Sequence, residues 1–195
     1  MATSPDGRHV YAGTATDLVS LRRGNDGRLG PLEGTVFDSA PLFLRAIRVA
    51  VPDDGAGVLV LVGDSFGAAI DSFVRDPETG RLTFADSEGG ANLGVAASLA
   101  VSRDGLRVYA TSTSLDALVV YARDPEEGTL TFVERIREQD AGVEGLLDPF
   151  AVAVSPDDRH VYVSARKQDG GESRGTVVLL RREPDDSLAF VEALD

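Results

Sequence analysis

The sequence predicts an all-β fold: about four four-stranded antiparallel sheets, arranged as the blades of a β-propeller. Two observations carry that reading. A turn motif recurs four times without a gap, as Thr3-Ser-Pro-Asp-Gly-Arg-His-Val10, Val51-Pro-Asp-Asp-Gly-Ala-Gly-Val58, Val101-Ser-Arg-Asp-Gly-Leu-Arg-Val108 and Val154-Ser-Pro-Asp-Asp-Arg-His-Val161. A second motif follows each copy, beginning at Gly24, Arg75, Arg123 and Arg182. Successive copies of the first start 48, 50 and 53 residues apart, so units near 1–37, 38–90, 91–142 and 143–195 fill the chain as one repeat domain. Repeats of this length that each read as four short strands describe propeller blades.

Each unit opens on an alternating apolar run such as Ser98–Val101 or Ala151–Val154, a half-buried strand. The Pro-Asp-Gly turn comes next. Proline presets φ, aspartate bonds nearby backbone, and glycine accepts left-handed geometry. A second strand follows, as in Val10-Tyr-Ala or Val108-Tyr-Ala, and then a variable loop. The third strand, as in Leu118–Tyr121 or Val177–Leu180, is apolar on both faces and so reads as sandwiched between neighbours. The Asp76-Pro-Glu-Thr-Gly80 hairpin suits a type I turn with Gly80 in the bulge, and it leads to a fourth strand where Leu82 and Phe84 alternate. Pro31 stands in the first unit's fourth strand, tolerable at an edge. Only Met1–Thr3 precede the first turn, so the first unit is expected to lack its inner strand.

Composition excludes more than it selects. The formal net charge of −13 argues against nucleic acid and against anionic membrane surfaces. With no cysteine there is no disulfide, thiolate metal site or cysteine nucleophile. No apolar run reaches membrane-span length, and the first residues do not form a signal peptide. The chain as it stands therefore reads as cytoplasmic, or as secreted or periplasmic if a leader precedes it. Eighteen of the 19 basic residues are arginine, which fits a GC-rich genome, with salt adaptation as the sharper alternative.

The runs AVSPDDRHVYV…VVLLRREPDDSLAFVE and AVSRDGLRVYA…ALVVYARDPEEGTLTFVE closely resemble the YVTN/lactonase-type propeller repeats, a group that includes the 6-phosphogluconolactonase-like proteins. The resemblance covers nearly the whole chain and implies a propeller that is typically seven-bladed. Four repeats then imply an open arc, or part of a longer ring, and its uncovered end faces imply self-association. The resemblance also implies lactone hydrolysis by His, Glu and Arg on the channel loops.

The residues themselves point less clearly to chemistry. His9 and His160 share one slot of the repeat, where other units have Gly57 and Arg107, and so read as surface positions at a strand start. Asp6, Asp54, Asp104 and Asp157 read as turn formers, one per blade, too far apart to share a metal. Asp71 interrupts an apolar third strand and needs a partner. The variable loops, among them Gln139–Pro149 and Arg166–Gly175, lie on the face opposite the repeated turns, where binding is expected. There Arg45, Glu88, Asn92, Asp116, Glu144, Asp148 and Arg166 are the candidate binding residues for a protein or small-molecule ligand. Arg166, Lys167 and Arg174 either bind an anion or offset Asp169 and Glu172. No catalytic residue, cofactor or metal ligand is assigned. The favoured expectation is a non-enzymatic scaffold without lactone turnover, and the alternative is a lactone hydrolase of the 6-phosphogluconolactonase-like group or a fragment of one.

Overall fold

The computed structural model describes residues 1–14, 17–38, 45–63 and 65–194, without the side chains of 33–38, 45–47, 141 and 169. The first blade holds β1 (Ala2–Thr3), β2 (His9–Gly13), β3 (Asp17–Arg23) and β4 (Leu29–Asp38). The second holds β5 (Arg45–Ala50), β6 (Gly57–Gly63), β7 (Ala68–Arg75) and β8 (Leu82–Gly89). The third holds β9 (Ala96–Val101), β10 (Arg107–Ser112), β11 (Ala117–Arg123) and β12 (Leu130–Arg137). The fourth holds β13 (Leu147–Val154), β14 (His160–Asp169), β15 (Glu172–Arg182) and β16 (Leu188–Leu194). Every blade is an antiparallel meander in chain order. The described residues contain no α-helix, and no helix long and apolar enough to cross a membrane.

Local chemistry explains the repetition. In each first turn the Ser4, Pro52, Ser102 or Ser155 carbonyl accepts the N–H of Gly7, Gly55, Gly105 or Asp158. That donor residue is left-handed in all four blades, with φ between +58° and +75°. Glycine fits there without a Cβ clash. Asp158 fits because its carboxylate accepts the Arg103 and Asp104 N–H groups of the preceding blade, at 2.7 and 3.0 Å.

On the inside of the arc β9 packs against both β5 and β13, and β5 packs against β2, so successive blades stack. Between them lie three apolar layers. Tyr11 and Leu18 meet Val58, Val60 and Phe73, while Leu59, Leu61 and Ile70 meet Val108, Val119 and Tyr121. Tyr109, Leu118 and Val120 meet Val161, Val178 and Leu180. Burying each of these side chains is worth about 1.5–3 kcal/mol, so the junctions rather than the isolated sheets hold the arc together.

Two expectations are corrected. The first blade does have an inner strand: β1 is two residues long, and Ala2 and Thr3 pair with Tyr11 and Val10. The stretch expected as a long loop at 166–175 is mostly ladder, with Arg166 opposite Gly175 and only Gly170 and Gly171 at the turn. The ladder continues there because Gly170 and Gly171, left-handed at φ +58° and +93°, close a two-residue hairpin, and polar residues suit an exposed ladder as well as a loop. Pro31 sits in β4, an edge strand, opposite Leu21.

Candidate functional site

The repeated turns gather at one end of the arc and the variable connections at the other. At the turn end the third strands of the second, third and fourth blades finish on an arginine that reaches into the preceding blade. Arg75 lies 3.2 Å from Asp6, Arg123 lies 2.7 Å from Asp54 and Arg182 lies 3.0 Å from Asp104. The turn aspartates therefore have two tasks. Asp6 Oδ1 accepts the Ser4 hydroxyl and the Arg8 N–H, and Oδ2 faces Arg75. Those two hydrogen bonds, with Arg75 behind them, hold the Asp6 carboxyl well below the usual range.

His9 corrects the surface reading of its slot, being 2% exposed. Its Nδ1 lies 2.9 Å from an Arg75 terminal nitrogen. Arginine can only donate, so Nδ1 accepts and the ring proton sits on Nε2. Burial first, then the Arg75 charge, lowers the His9 pKa. The slot faces the next blade, and its occupant is whatever that blade leaves room for. At Gly57 a Cβ would come within 2.6 Å of the Arg123 guanidinium. Arg107 instead meets Asp186 at 2.7 Å.

A cavity of about 360 Å³ opens at this end, walled by Ala50, Pro52, Val101, Arg103, Val154 and Asp158. Its polar groups bond one another: Arg103 reaches Asp53 at 3.4 Å and the Pro156 carbonyl at 3.3 Å. They knit the turns of three blades rather than awaiting a ligand.

The other end carries the predicted binding residues, and the structure brings some of them together. Asp116 Oδ1 accepts the Asp148 N–H at 2.7 Å, and the Asp148 carboxylate lies 3.1 Å from Arg166. Glu144 pairs with Lys167 at 3.3 Å. Thus Arg166 and Lys167 each meet an acid of the preceding crossing, and Arg174 meets Glu172 as expected, while the Asp169 side chain lies outside the described residues. Asp116, Gln139 and Asp148 are left-handed at φ +48°, +70° and +46°. Such backbone costs energy in non-glycine residues and persists where surroundings enforce it. Glu138 supplies part of the enforcement, since its carboxylate accepts the Gly145 and Leu146 N–H groups.

The remaining candidates lie elsewhere. Glu88 ends an outer strand opposite Ile70, and its charge adds to the burial that pushes the Tyr121 hydroxyl up to about 12. Asn92 sits in a 3-10 turn where its carbonyl accepts from Arg135 at 3.3 Å. Arg45 begins β5, and its side chain lies outside the described residues. Asp71 finds a local partner in the Ser87 hydroxyl at 2.7 Å, while burial raises its pKa.

Sequence reading missed Phe150, half exposed on the innermost strand within the irregular pairing between Leu147 and Ala151, and Arg48, exposed on β5. The Asp148-Pro149-Phe150 break in an alternating strand was the available signal. The described residues hold no group of three His, Cys, Asp or Glu suited to a metal.

No family model and no curated protein sequence matches the chain. Solved structures do. A candidate 6-phosphogluconolactonase from Bacteroides uniformis superposes with a TM-score of 0.72 at 18% identity, over 97% of this chain and 55% of its own. The fold is that of β-propeller blades. The periplasmic gluconolactonase of Pseudomonas aeruginosa gives 0.74 at 21% identity, over 99% of this chain and 52% of its own. A β-propeller domain from Myceliophteria thermophila gives 0.58 at 17% identity, over 89% and 51%. The arc thus spans about half the length of the propellers it resembles.

Proposed function

We propose that the variable-loop end of the third and fourth blades binds a sugar lactone or its hydroxy-acid product, as one half of a lactonase-type channel. The observation that carries this reading is the Asp116–Asp148–Arg166 chain of contacts, held on left-handed backbone beside the half-exposed Phe150. Arg166 can donate to a lactone carbonyl or a carboxylate, the aspartates can accept from sugar hydroxyls, and an aromatic ring can cover the apolar face of the sugar. The likeness to structures named as lactonases supports a lactone over an arbitrary ligand.

Hydrolysis at this place would begin with water adding to the acyl carbon. The ring C–O bond would then break, with Arg166 stabilising the oxyanion and a carboxylate taking the water proton and passing it to the departing ring oxygen, which becomes the hydroxyl of the hydroxy acid. A second reading is binding without turnover. It is favoured by the two histidines, which both lie at the turn end and offer no base here. A pH-stat assay with glucono-δ-lactone and 6-phosphogluconolactone, paired with calorimetric titration of gluconate, distinguishes the readings. Hydrolysis lost on Arg166→Ala supports the hydrolase. Binding lost on Arg166→Ala without turnover supports the second reading. Neither binding nor turnover refutes both.

A further inference from the structure

Three junctions join the four blades, and the two end faces are left over. In the first junction Arg75 is received by three groups of the first blade. One terminal nitrogen lies 3.2 Å from Asp6 and 2.9 Å from His9 Nδ1, and Nε donates to the Tyr11 hydroxyl at 2.8 Å. The eight-residue stretch that supplies this trio, Ser-Pro-Asp-x-Arg-His-Val-Tyr, occurs twice, at 4–11 and at 155–162. The second copy places Asp157, His160 and Tyr162 at the same positions of the fourth blade, where, among the described residues, no arginine of another blade arrives and the only cation that Asp157 meets is Arg159 of its own turn, at 4.0 Å. The contrast shows in burial: Tyr11 and Tyr109 are 0% and 1% exposed, Tyr162 is 40%. Leu118 is 0% exposed, and Val177 at the same place in the fourth blade is 41%. A hollow of about 460 Å³ opens beside Asp157, His160, Arg182 and Asp186.

The other end face has the missing half. Arg23 occupies the position of Arg75, Arg123 and Arg182: its N–H donates to Arg8, as theirs do to Ala56, Leu106 and Arg159. It is exposed, with no acidic partner among the described residues. A second match concerns shape. A Cβ on Gly80 would run into the His9 ring, so a histidine in that slot needs glycine opposite it. The third junction instead pairs Arg107 with Asp186. The first blade offers Gly27 at that hairpin position, left-handed like Gly80 and open on its outer side, and the fourth blade offers His160.

We propose that Asp157, His160 and Tyr162 receive Arg23 of a second copy of this chain. The two faces are opposite halves of one kind of junction, so a two-fold pair of copies satisfies both at once. Such a pair has eight blades, within the range of closed propellers. With about 320 Å² per blade face, two junctions bury about 1,300 Å², within the range of stable interfaces. This proposal is independent of any lactone site.

Sedimentation velocity at micromolar concentration tests it, with circular dichroism to confirm folding. The wild-type chain should sediment at about twice its 20.5 kDa. Arg23→Asp alone, and Asp157→Arg alone, set like charges together at both junctions and should each weaken association by about 100-fold. Mixed in equal amounts, the two variants place opposite charges at both junctions and should restore the dimer. A wild type that stays monomeric, single variants that dimerise like wild type, or a mixture of folded variants that does not associate would each overturn the proposal.

Discussion

Replacing Arg75 by methionine should loosen the first blade from the rest. The side chain is 2% exposed and its partners are not equally dependent on it. The Tyr11 hydroxyl keeps the Gly80 carbonyl at 3.0 Å as its acceptor. Asp6 keeps the Ser4 hydroxyl and the Arg8 N–H, and its side chain is 34% exposed, so little is added there. The Gly55 carbonyl and His9 Nδ1 lose a buried donor at 2.9 Å each. At about 1–3 kcal/mol per stranded buried group, the expected loss is roughly 3–5 kcal/mol. For a chain of this size that lowers the melting temperature by roughly 10 °C.

Arg123→Met supplies the control. Arg123 also bridges two blades, through Asp54 and the Gly105 carbonyl, yet its Nε and one terminal nitrogen are buried without a partner among the described residues. Removing it also removes those two unsatisfied donors, so its cost should stay below about 2 kcal/mol. Urea titration followed by tyrosine fluorescence and far-ultraviolet dichroism measures both. Hydrogen exchange adds location: coupling between blades is nearest-neighbour, so Arg75→Met should deprotect residues 9–23 while 107–123 stay protected. Equal costs for the two substitutions, or a larger cost for Arg123→Met, would refute the reasoning.

Stability should fall with acid in two stages. The folded His9 pKa lies below its ordinary 6.5, so below pH 6.5 the unfolded chain binds a proton the folded one refuses, and stability drops until the folded value is reached. Asp6, lowered in the fold, adds stability above pH 3.8 that is lost as the pH falls further. His9→Gln should flatten the first stage in thermal melts between pH 7 and 5 and leave the second. Gly105→Val should cost about 1 kcal/mol or more, because φ is +75° and the new Cβ would lie 2.7 Å from the Asp54 carboxylate that holds Arg123. His160→Gly, on the open face, should leave melts of the dilute chain nearly unchanged, and the reverse ranking would break the alignment of the four blades.

The strands, their order and the face on which the variable connections lie were legible in the sequence. Each rests on chemistry within a few residues: Pro-Asp-Gly fixes a turn, alternation fixes a strand, and a two-sided apolar run marks β11 as sandwiched, whereas the same kind of run in β15 leaves one face uncovered, with Val177 41% exposed. The short β1 escaped notice because two residues cannot show a period. Part of the candidate site was legible too, since exposed polar residues at strand ends are confined to one end of the arc by topology. That Asp116, Asp148 and Arg166 come together depends on how blades three and four are set against each other, and that the Asn92 carbonyl meets Arg135 depends on how the crossing from blade two lies on blade three. The arginine latches were in plain view as residues and invisible as pairs. Asp6 and Arg75 are 69 positions apart, Asp104 and Arg182 78, and neither side chain carries a local mark of its partner. The histidine slot was misread for the same reason. A position that holds His9, Gly57, Arg107 and His160 looks unconstrained along the chain, but the first three occupants are each set by what the next blade projects into the slot, and only packing in three dimensions decides that.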